Sequence, residues 1–169
     1  MEEETEIFPI VDDSGKVIGK ATRTECHSGT KQLHPVVHLH VYNEAGELYL
    51  QKRAQTKDIQ PGKWDTAVGG HVDYGETIED ALRREAREEL GIIDFKPVKV
   101  TSYVFESDVE KEFVNTFKTI YSGEINPDRE ELAGGKFWNV EKIRQNLESS
   151  IFTPNFINEF TRILYPQQI

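Results

Sequence analysis

Residues 70–92 read GHVDYGETIEDALRREAREELGI, and the rest of the chain is best read outward from them. The fixed positions are Gly70, Glu76, Arg84-Glu85-Ala86, Glu88-Glu89 and Gly91-Ile92. Gly70, Asp73 and Gly75 mark the first part as a loop. Thr77, with Asp80 three residues on, is a helix start in which Thr77 serves as N-cap. Residues 78–90 hold no Gly or Pro and are rich in Ala, Leu, Glu and Arg, all good helix formers. Gly91 is the expected left-handed stop just past the last turn. The stretch therefore predicts loop, helix, turn.

At about 100° per residue, Ile78, Ala81, Leu82, Ala86, Glu85 and Glu89 fall on one side of that helix, with Glu88 at its margin. Glu79, Asp80, Arg83 and Arg87 point away, and Glu79 with Arg83 or Asp80 with Arg84 suits solvent-facing ion pairs. Glu85 and Glu89 do not suit that role, because they share the apolar stripe that must face the protein. Carboxylates on a half-buried face need compensation, and a divalent cation supplies it. Glu85, Glu88 and Glu89 together make a hard oxygen site suited to Mg²⁺ or Mn²⁺. Arg84 is spaced to pair with Glu88 and hold it in aim. The implied chemistry is metal-assisted attack of water on a diphosphate.

The spacing from Gly70 to Ile92 resembles the Nudix box residue for residue, with a chance probability on the order of 10⁻⁸ to 10⁻⁹ per start position. Ala86 is smaller than the bulky aliphatic residue most often found there. The resemblance extends over roughly residues 35–165 by element order. It implies a Nudix-type α/β/α sandwich with a mixed central sheet, within the α+β class. It also implies Mg²⁺-dependent hydrolysis of a nucleoside diphosphate linked to another moiety, or of a related small organic diphosphate. Residues 34–166 are expected to form one compact domain, and residues 1–33 an N-terminal hairpin and loop extension.

Bulk properties agree. A chain of 169 residues is long enough for a real core. Its net charge of −10 argues against a nucleic-acid backbone as the main partner. A phosphorylated small molecule would instead need placed Lys, Arg or metal. A single cysteine, Cys26, excludes an intramolecular disulfide framework and fits a reducing compartment. No apolar run approaches a membrane span, and the start MEEETEIF is acidic where a signal peptide would be basic. The expected setting is cytoplasmic. Nudix proteins are often dimers, and the N-terminal hairpin is a candidate interface.

Read in order, residues 6–23 form two short strands around Asp12-Asp13-Ser14-Gly15, and residues 24–35 a polar loop. Val36–Tyr42 alternates as a strand, followed by a hairpin turn at 43–47 and a return strand at 48–53. Residues 54–63 form a loop to Trp64, which reads as core, and 65–69 a short strand. Residues 96–106 and 111–125 are a second antiparallel pair. An acidic turn at 128–132, Gly134-Gly135 and a strand near Phe137-Trp138 come next. Helices near 140–148 and 155–164 close the chain.

Outside the box the chain is similar to the isopentenyl-diphosphate isomerases and their isomerase-like Nudix relatives. The stretches that carry this are His27, Leu33-His34, Arg53-Ala54 through Pro61-Gly62-Lys63-Trp64, Gly70-His71 and Glu110-Lys111-Glu112. The resemblance implies that His27, His34, His71, Glu110 and Glu112 hold a second divalent metal. It also implies that Arg53 and Lys57 approach the diphosphate, and that Gly70 belongs to the substrate loop. Three His and two Glu suit Mn²⁺, Zn²⁺ or Fe²⁺ by ligand type. The chain departs from those isomerases in two ways. Gly69 stands where their catalytic cysteine aligns, and the box is complete where theirs is degenerate. Both point to a hydrolase rather than an isomerase.

Other roles stay open at this level. His38 and His40 share a strand face and fit either a cavity lining or buried structural histidines. Glu110 and Glu112 alternate toward one side of a strand start, and either, Glu110 or Glu112, is a candidate for the general base that many Nudix enzymes draw from outside the box. Glu76 is placed to support the loop and the metal's water shell. Cys26 reads as an inert thiol. A non-catalytic nucleotide sensor is a third function class, disfavoured by the full set of box carboxylates. The ADP-ribose class carries a proline beyond the box where this chain has Tyr103-Val104-Phe105-Glu106-Ser107, which lowers that substrate.

Overall fold

A computed structural model describes residues 6–27, 29–54, 62–128 and 132–164. The fold is mixed α+β around a seven-stranded sheet of order β5-β4-β3-β8-β7, with β6 pairing β3 and β9 pairing β4. The strands are β1 Ile7–Val11, β2 Val17–Thr22, β3 Leu33–Tyr42, β4 Leu48–Arg53, β5 Trp64–Thr66, β6 Val68–His71, β7 Val98–Glu106, β8 Lys111–Ile120 and β9 Leu132–Trp138. The helices are α1 Arg23–Cys26, α2 Ile78–Leu90, α3 Val140–Gln145 and α4 Pro154–Glu159, the last continued by a π-helical turn, Phe160–Leu164. Asn115 Nδ2 donates to Val36 O, and Tyr121 N to Tyr42 O; both pairs are 79 residues apart. That constant offset means β3 and β8 run parallel, which makes the sheet mixed.

By contacts the chain divides into two interleaved units. The first holds Met1–Leu39, Val68–Arg87 and Pro97–Lys118. In it β1 and β2 form the expected hairpin, and Phe8, Ala21 and Cys26 make a small core with Ile10 against it. β6 pairs antiparallel with β3, setting Val36 opposite His71, Val37 opposite Gly70 and His38 opposite Gly69. The second unit holds His40–Ala67, Glu88–Lys96 and Thr119–Ile169. Its core joins Leu48 and Leu50 to Ile143, Phe152, Phe156, Phe160 and Leu164. His40 Nε2 and Glu159 Oε1 meet at 2.8 Å with both side chains fully buried, so His40 is a structural histidine.

Helix α2 follows its sequence signals. Thr77 Oγ1 accepts from Asp80 N at 3.1 Å, and Gly91 takes φ +69° at the end. Ala81, Leu82, Ala86 and Leu90 are fully buried, while Glu79, Asp80 and Arg87 are exposed and Glu79 pairs with Arg83 at 3.2 Å.

Some expectations are corrected. The polar stretch from 24 holds a helical turn, because Thr22 and Glu25 form a reciprocal capping box, and β3 starts at Leu33. The single strand expected at 65–69 is two, broken at Ala67. Gly134 and Gly135 lie inside β9, opposite Lys52 and Gln51. There a Cβ on Gly135 would come 2.7 Å from Tyr49 Cε1 and nearer still to its hydroxyl, so the strand needs glycine to pass Tyr49. Trp64, read as core, does pack against the second unit's core, half-buried and edge-on to Trp138 at 5.3 Å. Cys26 is buried, and desolvation pushes its thiol up to about 11, which keeps it inert.

Candidate active site and metal centre

In the first unit, the box loop folds back on its own helix. Arg84 is partly buried and grips Glu76 with a planar fork, Nε to Oε2 at 2.8 Å and Nη2 to Oε1 at 2.9 Å. Its Nη1 donates to Glu85 Oε1 at 2.6 Å and Nη2 to the His71 carbonyl at 3.0 Å. Glu76 Oε1 also accepts from Asp73 N at 3.0 Å, which closes the loop. The Arg84 hydrogen bonds hold the Glu76 carboxyl below its usual range, and Glu76 raises the Arg84 guanidinium in return. Glu76 thus supports the box loop and is a partner of Arg84. Arg84 is anchored by the loop and by Glu85, not by the helical i,i+4 spacing alone.

Gly70 makes the cradle for Glu85. A Cβ there would lie 2.6 Å from Glu85 Cγ and closer still to the carboxylate. The Glu85 side chain is 16% exposed, so its carboxyl group is largely withdrawn from water and is held by Arg84. In the second unit, Gln51 Nε2 donates to Glu89 Oε1 at 3.0 Å and to Ala67 O at 3.1 Å, fixing the aim of that carboxylate. Glu88 is exposed. Glu85, Glu88 and Glu89 all lie on α2. Arg53, half-buried on β4, has Nη1 at 3.8 Å from Asp65 Oδ2; Asp65 in turn accepts from Thr153 Oγ1 at 2.8 Å. Lys57 lies outside the described residues.

A second constellation, wholly in the first unit, gathers His27, His34, His71, Glu110 and Glu112. The ligand atoms of His27, His34 and His71 lie within 4.8 Å of one another, as do those of His34, Glu110 and Glu112. His34 Nδ1 sits 2.9 Å from the Gln32 carbonyl, which can only accept, so Nδ1 carries the proton and Nε2 the lone pair. The Nε2 atoms of His34 and His71 are buried with no hydrogen-bond partner. His27 Nε2 lies 3.2 Å from Glu110 Oε2 but without hydrogen-bond geometry. Burial depresses the His34 imidazole and, with nearby His34 and Arg23, holds His71 well below the usual range, so both rings are neutral. Glu112 is pushed up to about 8, first by desolvation and then by donating a hydrogen bond to Glu110. Orphaned, inward-aimed lone pairs beside two carboxylates fit a divalent cation of borderline softness.

His38 faces Glu112 electrostatically, and a Cβ on Gly69 would meet His38 Cδ2 at 3.5 Å, an ordinary contact. Position 69 therefore has room for a side chain that this sequence does not supply. Sequence reasoning missed Gln51 and Phe8. Strand alternation with Arg53 could have placed Gln51 on the site's face, but nothing local marks Phe8.

A sequence profile of the NUDIX domain matches residues 32–160, and the chain belongs to the Nudix family. It is 33% identical over 134 residues to an isopentenyl-diphosphate Δ-isomerase of Mycolicibacterium vanbaalenii, covering 76% of this chain and 74% of that one. It is 35% identical over 127 residues to a Nudix hydrolase of Listeria monocytogenes, covering 74% and 75%. A crystal structure of a Deinococcus radiodurans protein superposes with TM-score 0.78 at 23% identity, over 94% of this chain and 99% of that one. Among the described residues no helix is long and apolar enough to cross a membrane.

Proposed function

We propose that the chain is a metal-dependent Nudix hydrolase. It would cleave a diphosphate bond in a nucleoside diphosphate linked to another moiety, or in a related small organic diphosphate. The observation that carries this reading is the intact box, with Glu85 nested against Gly70 and gripped by an Arg84 that Glu76 locks in place. Glu85, Glu88 and Glu89 would hold Mg²⁺, which when bound supplies Lewis-acid stabilisation of phosphoryl charge and of the leaving group. Gln51 keeps Glu89 aimed, and Arg84 holds the Glu85 carboxyl against Gly70. Arg53, oriented by Asp65, offers a fork for a phosphate oxygen. His27, His34, His71, Glu110 and Glu112 would hold a second ion such as Mn²⁺ or Zn²⁺, and Glu112 faces His38 as an acid–base candidate beside Gly69.

The assembled His/Glu set and the isomerase-named relatives favour a second reading, a prenyl-diphosphate isomerase. Gly69 weighs against it, because no thiol stands there. The domain would comprise residues 34–166, with residues 1–33 as an extension.

A product assay separates the two. The panel holds nucleoside triphosphates, ADP-ribose, NADH, dinucleoside polyphosphates, CoA and isopentenyl diphosphate, with Mg²⁺ or Mn²⁺, beside Glu88→Gln and Glu89→Gln. Metal-dependent release of phosphate or mononucleotide, lost in both variants, establishes the hydrolase. Dimethylallyl diphosphate formed without hydrolysis refutes it.

A further inference from the structure

Phe8 touches every histidine of the second constellation, yet the chemistry proposed above gives it no part. It lies on β1, outside the matched residues 32–160, and is fully buried. Its ring lies flat on His71, with centroids 4.6 Å apart and planes 2° from parallel. It stacks on His34 at 5.8 Å and 15°, and His34 and His71 are themselves stacked at 5.5 Å and 16°. His27 is tilted against the three rings, at 53° to Phe8, 55° to His34 and 51° to His71. Three nearly parallel rings thus meet a fourth tilted against them, and the histidine ligand atoms lie within 4.8 Å of one another.

The backbone fixes this stack. Ile7 O accepts from Tyr74 N at 2.8 Å, tying β1 to the loop just after His71, and Glu6 O accepts from Arg23 N at 3.0 Å at the start of the helix that leads to His27. An imidazole on its χ2 torsion has a broad, roughly two-fold profile, so packing must select the plane in which its nitrogen points. His34 has the Gln32 carbonyl to do this. For His71 the flat face of Phe8 does the equivalent.

We propose that Phe8 is a positioning residue for a divalent-metal centre formed with His27, His34 and His71, setting the plane in which His71 Nε2 meets the ion. This rests on reading that cluster as a metal centre. It also gives the N-terminal hairpin a defined task, since β1 and the turn carrying His27 supply one wall and one ligand of the site.

The test uses Co²⁺ as the probe on the purified, metal-free full chain, read by ligand-field absorption and a binding titration. Phe8→Leu and Phe8→Met keep apolar bulk and remove the ring. Val11→Ala, on the same strand and 4% exposed, is the control for general loosening of β1. His71→Asn identifies which part of the spectrum belongs to the histidines. Both Phe8 variants should bind Co²⁺ at least about tenfold more weakly with altered bands, the range seen when a ligand's supporting contact is lost, while Val11→Ala stays within about twofold. In the wild-type protein, Co²⁺ should also shift the Phe8 ring resonances in NMR spectra, a readout that needs no variant to fold. Wild-type affinity and bands in both Phe8 variants, or an equal loss in Val11→Ala, would overturn the positioning role alone. A wild-type spectrum unchanged by His71→Asn would overturn the metal centre and the role of Phe8 together.

Discussion

Replacing Gly70 with alanine should separate catalysis from stability. The backbone at Gly70 is not in the left-handed region, so alanine brings no conformational strain there. Its only direct consequence is a methyl group placed 2.6 Å from Glu85 Cγ and closer still to the carboxylate. Carbon atoms pack at about 3.5–4.0 Å, so the Glu85 side chain must retreat by roughly 1 Å or more. Its way out is to swing from the cradle, which sacrifices the 2.6 Å bond from Arg84. A charge-assisted hydrogen bond contributes about 1.5–3 kcal/mol, and less here because both groups keep some solvent exposure. At about 2–4 °C per kcal/mol for a chain of this size, the melting temperature should fall by only a few degrees. Activity should fall much further, since displacing a catalytic group by about 1 Å can cost roughly 100-fold. The assay is kcat/KM with Mg²⁺ on whichever panel substrate turns over, run beside thermal melting. Gly69→Ala is the matched control, because its methyl would meet His38 at 3.5 Å, an ordinary contact. A Gly70→Ala enzyme within about threefold of wild-type kcat/KM, or one no worse than Gly69→Ala, would refute the cradle.

Arg84→Lys keeps the charge but loses the two-pronged grip on Glu76, and kcat/KM should drop about 10–100-fold with an unchanged circular dichroism spectrum. Near-wild-type turnover would show that Arg84 acts only as a point charge. Glu159→Ala strands His40 in the second unit's core and should cost about 3–5 kcal/mol in urea unfolding, whereas a loss under about 1 kcal/mol would mean the pair is dispensable. In the metal-free protein, Glu112 has its folded pKa raised from 4.5 to about 8, so its stabilising contribution is complete below pH 4.5 and is lost as pH rises toward 8. The stability of wild type relative to Glu112→Gln should therefore decline between pH 5 and 8; a flat difference would contradict the buried, protonated carboxyl. His34 and His71 are depressed and act oppositely, losing their contribution as pH falls below 6.5, but both proteins share that change and it cancels in the comparison.

Helix α2 was legible because its signals are local. Thr77 caps it, Gly91 ends it and the apolar stripe is periodic, so Glu85 and Glu89 could be assigned to the inner face from spacing alone. Helix α1 carries a signal of the same kind in Thr22 and Glu25, but with only four residues it shows no periodicity to draw the eye. What stayed hidden depends on partners distant in sequence. Glu76 meets Arg84 only once the loop has folded back, and Gly134-Gly135 has no evident place in a strand until Tyr49 is seen packed against Gly135. Gln51 and Phe8 are ordinary strand residues until the neighbours they orient are in place.

Strand β6 ties the two ligand sets together while keeping them apart. Side chains alternate along a strand, so Gly69 and His71 face one way and Gly70 the other. The pairing of β6 with β3 agrees: His38 and Val36 sit opposite Gly69 and His71, and Val37 opposite Gly70. Gly70 turns its open face to Glu85, whereas His71 turns to Phe8 and His34, and Gly69 to His38. The box carboxylate and the histidine set are therefore on opposite faces of one strand, linked through the His71 carbonyl that Arg84 holds. In the proposed hydrolysis the Gly70 face carries the working carboxylate, and the resemblance to the isomerases would put a thiol on the Gly69 face. Glu85 fills the Gly70 face, while the Gly69 face carries only a hydrogen atom beside His38. That asymmetry, written in three consecutive residues, is the physical reason to favour the hydrolase while still expecting a metal among the histidines.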